Sequence, residues 1–385
     1  MSSHRFPLMK LATKDTPFYF YDLRLLRETL ETINDEAAKY DDLFVHYAVK
    51  ANANPRILEL IANAGLGADC VSGGEVEAAL KSGFPADGIV LAGVGKTDRE
   101  IRLALRANIE CFNAESIPEL HVINHIAEQE QVLAKVALRI NPNVDAHTNE
   151  KITTGLSENK FGIDASLILD AIHALKSLPY LRFAGLHFHI GSQITDMQPY
   201  VALCKRINEL QDLLNKEGIE VPSINVGGGL GIDYENPDEN PIPNFGLLFS
   251  TICKNLKRTV GQPLHFELGR SVVGQCGTLI SSVLYVKEGL QKKFLIVDAG
   301  FTDLVRPAMY GAYHLIENLT AAGDRDEVYD IVGPICESTD TFATARTIKA
   351  AQRGDLIAFR SAGAYGESMA SQYNCRKLPQ AYFFD

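Results

Sequence analysis

Phe44-Val45-His46-Tyr47-Ala48-Val49-Lys50-Ala51-Asn52-Ala53-Asn54-Pro55 is the stretch from which the fold can be read. A β-prone run ends in a lysine and breaks at once into small residues, asparagines and a proline. Alternation along a strand puts Phe44, His46, Ala48 and Lys50 on one face and Val45, Tyr47 and Val49 on the other. The second face is apolar and suits packing against helices. The first narrows to Ala48 and then presents an amine. A solvated lysine at a strand exit is the commoner reading, a nucleophile the rarer one. The choice depends on what the rest of the chain brings to the same place.

Working outward, apolar strand candidates recur near 43–49, 67–71, 88–92, 109–113, 134–140, 183–189, 223–227 and 264–268. A helical stretch around Leu23 to Tyr40, behind a capping Asp22, precedes them, and helical spacing fills most gaps, as in Pro55 to Ala64, Gly74 to Ser82 and Thr97 to Ala107. Eight β-then-α units predict an α/β fold, a (β/α)8 TIM-type barrel, although an open doubly wound sheet shares the alternation. The unusual residues favour the barrel. Lys50, Ser72-Gly73-Gly74, Gly93, Asn113, Asn141-Pro142, His189 to Ser192, Gly227 to Gly229 and Glu267 to Arg270 all fall at carboxyl ends of strands, which a barrel gathers on one face.

Beyond Arg270 the helical periodicity fades. Val272 to Val286, Phe294 to Asp298, Val328 to Val332 and Asp355 to Arg360 read as strands of a β-rich domain, and the aromatic run Pro17 to Tyr21 is expected to pair into it. The predicted division is a barrel over 23–268 and a β-rich domain over 1–22 and 269–385.

The gross composition excludes several classes. Hydrophobic content of 46% and charged content of 22% over 385 residues are those of a globular protein with more than one core. A net charge of −11 argues against a nucleic-acid partner. No apolar run is long enough to span a bilayer, and the opening MSSHRFPLMK lacks the apolar core of a signal peptide. Seven scattered cysteines without a C-x-x-C pair predict a reduced, cytoplasmic protein. No membrane partner and no metal centre are expected.

Three constellations carry chemistry. Gly227-Gly228-Gly229-Leu230-Gly231 can converge backbone N–H groups on an anion, and it follows the seventh strand, where barrels bind phosphate. It is neither a dinucleotide fingerprint nor a P-loop, and a plain βα turn is its bland reading. His187 and His189 share a strand face and could ligate a metal, which leaves a metal-dependent barrel hydrolase as a competing class. A hydrogen-bonded core histidine is the more natural reading of His187. Glu267-Leu268-Gly269-Arg270 offers a carboxylate for a protonated ring nitrogen and a cation for a carboxylate or phosphate, or else an internal ion pair. In the second domain Arg306 to His314, Cys336-Glu337 and Ala362 to Gly366 each read as turns, but their joint content suits a zwitterionic small molecule.

With these pieces assembled, the chain resembles the fold-type III pyridoxal-phosphate decarboxylases, and within them the diaminopimelate decarboxylases. The resemblance rests on Tyr47 to Asn52, Val71 to Glu75, Asn159 to Gly162, His187 to Gln193, Gly227 to Gly231, Glu267 to Ser271, Asp298 to Gly300, Arg306 to His314, Cys336 to Ser338 and Gly363 to Gly366. It implies decarboxylation of meso-2,6-diaminopimelate to L-lysine and CO2, the last step of lysine biosynthesis, by a homodimer with shared active sites. Lys50 would hold pyridoxal 5′-phosphate as a Schiff base, with His189 stacked on its ring. Ser192, Gly227, Gly228, Gly229 and Tyr365 would cradle the phosphate, and Glu267 would keep the ring nitrogen protonated, with Leu268 and Gly269 in the same cofactor-binding turn. Arg270, Arg306 and Tyr310 would hold the retained carboxylate and Glu337 the distal amine. Cys336 would donate a proton, reaching the site with Glu337 from the other subunit. The family usually carries proline where this chain has Leu268, which is expected to loosen that turn. Within the same chemistry, a decarboxylase of D-lysine, D-ornithine or another basic amino acid is the nearest alternative, and a non-catalytic cofactor carrier is a further one.

Overall fold

The structure, a computed structural model, describes residues 6–144 and 160–385. Met1 to Arg5 and Asn159, on which two of the readings above fall, lie outside the described residues. The chain divides into two compact units, one of residues 29–231 and 243–272 and the other of residues 1–28, 232–242 and 273–385. Besides boundary shifts that put 23–28 in the β-rich unit and 269–272 in the barrel unit, this differs from the predicted division in one respect that composition does not reveal. The segment 232–242, directly after the glycine run, belongs to the β-rich unit.

The first strand, β1 (Phe18–Asp22), lies in the β-rich unit. In the other unit follow β2 (Leu43–Ala48), β3 (Gly67–Cys70), β4 (Ile89–Leu91), β5 (Cys111–Ala114), β6 (Ala134–Asn141), β7 (Ile163–Asp164), β8 (Leu181–His187), β9 (Ile224–Asn225) and β10 (Leu264–Leu268). Parallel pairing runs β2-β3-β4-β5-β6-β8-β9-β10 and closes back onto β2. This is the eight-stranded barrel expected from the alternation. The short β7 pairs with β6 outside the ring.

Local chemistry sets the helix starts. Asn54, Ser72 and Ser116 each accept a backbone N–H of the helix that follows, and Thr97 with Glu100 closes a reciprocal capping box. Each start lies close after a barrel strand, so the caps hold the strand-end residues at the C-terminal mouth. Ile57, Ile61, Val76, Ala79, Ile101, Ala104, Leu120 and Ile123 line the buried helix faces against the barrel.

The β-rich unit adds β11 (Gly277–Glu288), β12 (Lys293–Val297), β13 (Ile316–Asn318), β14 (Asp326–Val332), β15 (Thr341–Lys349), β16 (Leu356–Phe359) and β17 (Gln380–Phe384), with the path β13-β16-β11-β12-β14-β15. As expected, β1 pairs into it, antiparallel to β11 and parallel to β17. Phe6, Phe18, Phe20 and Ile280 pack there into one core. The expected strand from Val272 begins only at Gly277, because Arg270–Val273 forms a helical turn. Strand β15 escapes a periodicity reading because it is an edge strand beside β14 and only two of its nine residues are buried, so Thr and Arg occupy positions a buried strand would give to apolar residues.

Candidate active site

Strand β2 ends at Ala48, and Lys50 sits in the middle of a single 3-10 turn, Val49–Ala51, rather than on the strand itself. The Tyr47 hydroxyl donates to the Asn52 carbonyl at 2.9 Å and pins the turn. Lys50 is not a plain surface lysine. Its Nζ lies 3.3 Å from Oδ2 of Asp69, an inward-facing residue of the neighbouring β3 that is almost wholly buried. Burial raises the Asp69 pKa and nearby Glu267 adds to the rise, while Lys50 opposes it. Asp69 Oδ1 is buried with no hydrogen-bond partner.

Glu267 stands one strand away on the other side, paired in register with His46 of β2. Its Oε1 accepts from Asn225 Nδ2 at 2.8 Å and from Asn113 Nδ2 at 3.2 Å; its Oε2 faces His187 Nε2 at 2.8 Å. Burial works against its ionisation. The His187 contact and the Lys50 charge outweigh that penalty and hold the carboxyl well below the usual range. Because a carboxylate accepts, His187 carries its proton on Nε2, and its buried Nδ1 has no hydrogen-bond partner. His187 is therefore the hydrogen-bonded core histidine, and the pair with His189 offers no metal-ligand set.

His189 follows the end of β8, half-buried, with Nδ1 accepting the Gly228 N–H at 3.3 Å. Burial first, and Arg139 next, depress its pKa far enough to keep the ring neutral. In the glycine run, Gly227 has a φ of +70°, and a Cβ on Gly228 would overlap the Glu267 carbonyl. The run thus lies backbone to backbone on the adjacent strand ends. Ser192 Oγ accepts from Arg270 Nη2 at 3.0 Å, so the two polar groups predicted for anion binding meet. Leu268 is fully buried and in register with Tyr47, and Gly269 leads into the helical turn Arg270–Val273. Packing of the leucine side chain fixes the segment where the family's proline would fix φ.

A buried ionic frame braces neighbouring strand ends. Lys96 Nζ reaches Glu119 at 2.6 Å and the carbonyls of Asn113 and Gly93 at 2.8 and 2.9 Å, and Arg139 reaches Glu115 at 2.7 Å. Glu115 also accepts the Gly162 N–H, and the Arg139 guanidinium lies over Phe161.

Asp69 and Asn225 escaped the sequence reading, which placed Asn113 at a strand end and read His187 as a core histidine without finding that both meet Glu267. A signal existed for Asp69: an aspartate inside an otherwise small and apolar strand, Gly67-Ala68-Asp69-Cys70, needs a partner. The amides gave none, since nothing local marks them as neighbours of Glu267.

The remaining predicted residues lie in the β-rich unit. Arg306 is buried, donates to His314 Nε2 at 2.9 Å and stacks over Tyr234 at 5.0 Å. His314 Nδ1 donates to the Arg360 carbonyl, which fixes its tautomer. Tyr310 ends the same short helix, Arg306–Tyr310, half-buried. Cys336 and Glu337 are both exposed. Their loop is fixed by the buried Asp340, which accepts from Ile335 and Phe301 N–H groups, and by Tyr373, whose hydroxyl donates to Glu337 at 2.8 Å. Tyr365 holds a φ of +56° in the turn after β16.

Comparison with known proteins agrees with this geometry. Residues 26–274 match the family described as pyridoxal-dependent decarboxylase, pyridoxal binding domain. The chain is 58% identical over 383 residues to diaminopimelate decarboxylase of Bacteroides thetaiotaomicron, covering 99% of this chain and 98% of the relative. It is 46% identical to the Neisseria meningitidis serogroup B enzyme of the same name, covering 94% and 86%. The crystal structure of diaminopimelate decarboxylase from Helicobacter pylori complexed with L-lysine superposes with a TM-score of 0.91 at 39% identity, covering 98% of this chain and 94% of the other. The glycine run, the lysine at the strand exit and the buried glutamate thus sit in a chain that belongs to the diaminopimelate decarboxylase family of pyridoxal-dependent decarboxylases.

Proposed function

We propose that this chain decarboxylates meso-2,6-diaminopimelate to L-lysine and CO2 using pyridoxal 5′-phosphate bound at the C-terminal mouth of the barrel. The observation that carries the reading is the arrangement around Lys50: an amine beside buried Asp69, with the ionised Glu267 held on the next strand by His187, Asn113 and Asn225. The residues fit the group. An amine, a fixed anion and a glycine run that admits no side chain answer its aldehyde, its ring nitrogen and its phosphate.

When bound, the cofactor supplies an electron sink for the carbanion left at the α-carbon. The protein's share is orientation and charge. Lys50 holds the cofactor covalently, and Asp69 orients the amine. Glu267 keeps a proton on the ring nitrogen, an anion maintained by its buried hydrogen bonds. His189, neutral, offers a flat face to the ring. Ser192, Gly227 to Gly229 and Tyr365 receive the phosphate. Arg270, Arg306 and Tyr310 hold the carboxylate that is kept, so that remote binding energy sets the orientation of the one that leaves. Glu337 takes the distal amine, and Cys336 delivers a proton to the α-carbon.

Cys336 and Glu337 are exposed on their own chain, as residues serving a second copy's site would be, and this supports a homodimer with shared sites. No helix among the described residues is long and apolar enough to cross a membrane. The L-lysine bound by the Helicobacter pylori relative supports a diamino acid product.

Borohydride reduction of the cofactor-loaded protein followed by peptide mapping tests the site, and a label anywhere but Lys50 overturns it. A substrate panel tests the specificity. Turnover of D-lysine or D-ornithine without turnover of diaminopimelate would reassign the substrate and leave the chemistry standing.

A further inference from the structure

The opposite, N-terminal mouth of the barrel opens into a cavity of about 590 Å³. Three side chains meet on its wall: His46 of β2, His265 of β10 and Glu110, which immediately precedes β5. None of them takes part in the chemistry described above. Alternation explains the meeting. His46 points inward like Ala48, and His265 points inward like Glu267, from strands paired in register.

The three groups lie close enough to converge on one cation. His46 Nε2 and His265 Nδ1 are 3.0 Å apart, and the Glu110 carboxylate oxygens stand 3.8 Å from the first and 4.0 Å from the second. Zn–N and Zn–O bonds of about 2.0–2.2 Å at tetrahedral angles put donors roughly 3.3–3.6 Å from one another. The carboxylate contacts are too long for hydrogen bonds. Rotation of the Glu110 side chain and a slight opening of the imidazole pair bring one donor atom of each onto one centre.

Proton placement supports the same reading. His46 Nδ1 lies 3.3 Å from the Gly88 carbonyl, which can only accept, so its proton is there and the Nε2 lone pair faces the cluster. A carbonyl behind a ligating imidazole is the usual second partner at metal sites. Gly67 makes that approach possible, since a Cβ there would overlap both the His46 ring and the Gly88 carbonyl. The His265 ring is set by stacking on Phe44, with centroids 5.3 Å apart at 24°. His265 Nδ1 donates to His46 Nε2 in the empty pair, and on metal binding that proton moves to His265 Nε2.

We propose that His46, His265 and Glu110 bind one Zn²⁺ at the N-terminal mouth of the barrel, with water from the cavity as the fourth ligand. Two imidazoles and one carboxylate suit zinc and the neighbouring d-block ions better than calcium or magnesium, which prefer oxygen donors. The ion ties β2 to β10, the strands that lead to Lys50 and Glu267, and to the entry of β5. It is a fastening across the barrel seam, remote from the reacting atoms.

The test uses the chelator-treated, cofactor-loaded full chain and Co²⁺ as a spectroscopic stand-in for Zn²⁺. Wild type should take up one equivalent with visible d–d bands and no thiolate charge-transfer band. H265Q/E110Q should lose that equivalent. E110Q alone, which keeps both imidazoles and the shape of the side chain, should weaken uptake at least about tenfold and covers the case in which the double variant fails to fold. Equal uptake by wild type and E110Q, a thiolate band that follows the exposed Cys336 or Cys375, or no stoichiometric uptake by wild type would each overturn the proposal.

Discussion

The two mouths of the barrel are built from the same strands and differ in how their charges are satisfied. At the C-terminal mouth Glu267 is surrounded by donors and Lys50 has a carboxylate partner, so buried charge is matched by hydrogen bonds and opposite charge. At the N-terminal mouth His46 and His265 hydrogen-bond each other, and the Glu110 carboxylate stands beyond hydrogen-bond reach of both, with Lys135 and Arg182 elsewhere on the cavity wall. In β10, His265 and Glu267 lie two residues apart on one face, and that spacing divides the two regimes. Which side chains cross the barrel to meet each residue, and not its type alone, decides whether it is held as an ion or left as a ligand.

Replacing residues of the matched mouth should have the largest effects. Lys50→Ala should lower turnover by at least about 10⁴-fold and abolish borohydride labelling, the scale on which loss of a covalent catalytic group is felt. Glu267→Gln should reduce kcat by roughly 10²–10³-fold. In denaturant melts it should also cost about 1–3 kcal/mol, because an amide cannot accept from His187, Asn113 and Asn225 together and turns its NH2 toward one of those donors. If the melts of Glu267→Gln and wild type coincide, the matched mouth is no better satisfied than the other.

Asp69→Asn keeps the shape and removes the charge beside Lys50. A loss in kcat of about 10–100-fold with little change in melting would sharpen the view that this carboxylate positions the amine. A loss of stability without a change in kcat would make it merely structural. Gly228→Ala introduces a Cβ against the Glu267 carbonyl and should cost about 1–3 kcal/mol, with weaker cofactor retention on dialysis.

The smallest effect concerns Glu75, whose carboxylate accepts the Val71 N–H at 2.8 Å near Asp69. Burial, reinforced by Asp69, raises its pKa from 4.5 to about 7. A carboxyl raised on folding binds a proton more readily in the native state, so its contribution to stability is full below pH 4.5 and declines as pH rises to about 7. Glu75→Gln removes that decline. Its stability relative to wild type should therefore improve across this window and stay level above it, measured by melts at fixed ionic strength.

Much of this was legible in the residues. Eight apolar runs separated by helical spacing gave the barrel, and the glycines, Lys50 and Glu267 marked its active mouth because such residues are costly at buried strand ends without a use. In the β-rich unit the turn chemistry of Cys336 to Asp340 was visible, but β13 and β17 were not, since strands of three and five residues carry too little pattern.

The sequence by itself determined the strand faces, through a period of two that needs no tertiary information. Only the tertiary structure decided which faces meet. Glu267 finds His187 across 80 residues and Asn113 across 154, and His46 finds His265 across 219. Barrel closure brings β10 beside β2, and no local signal encodes that adjacency. Side-chain type and direction are local properties of the chain, whereas the partner that gives a buried charge its protonation state is set by packing at long range.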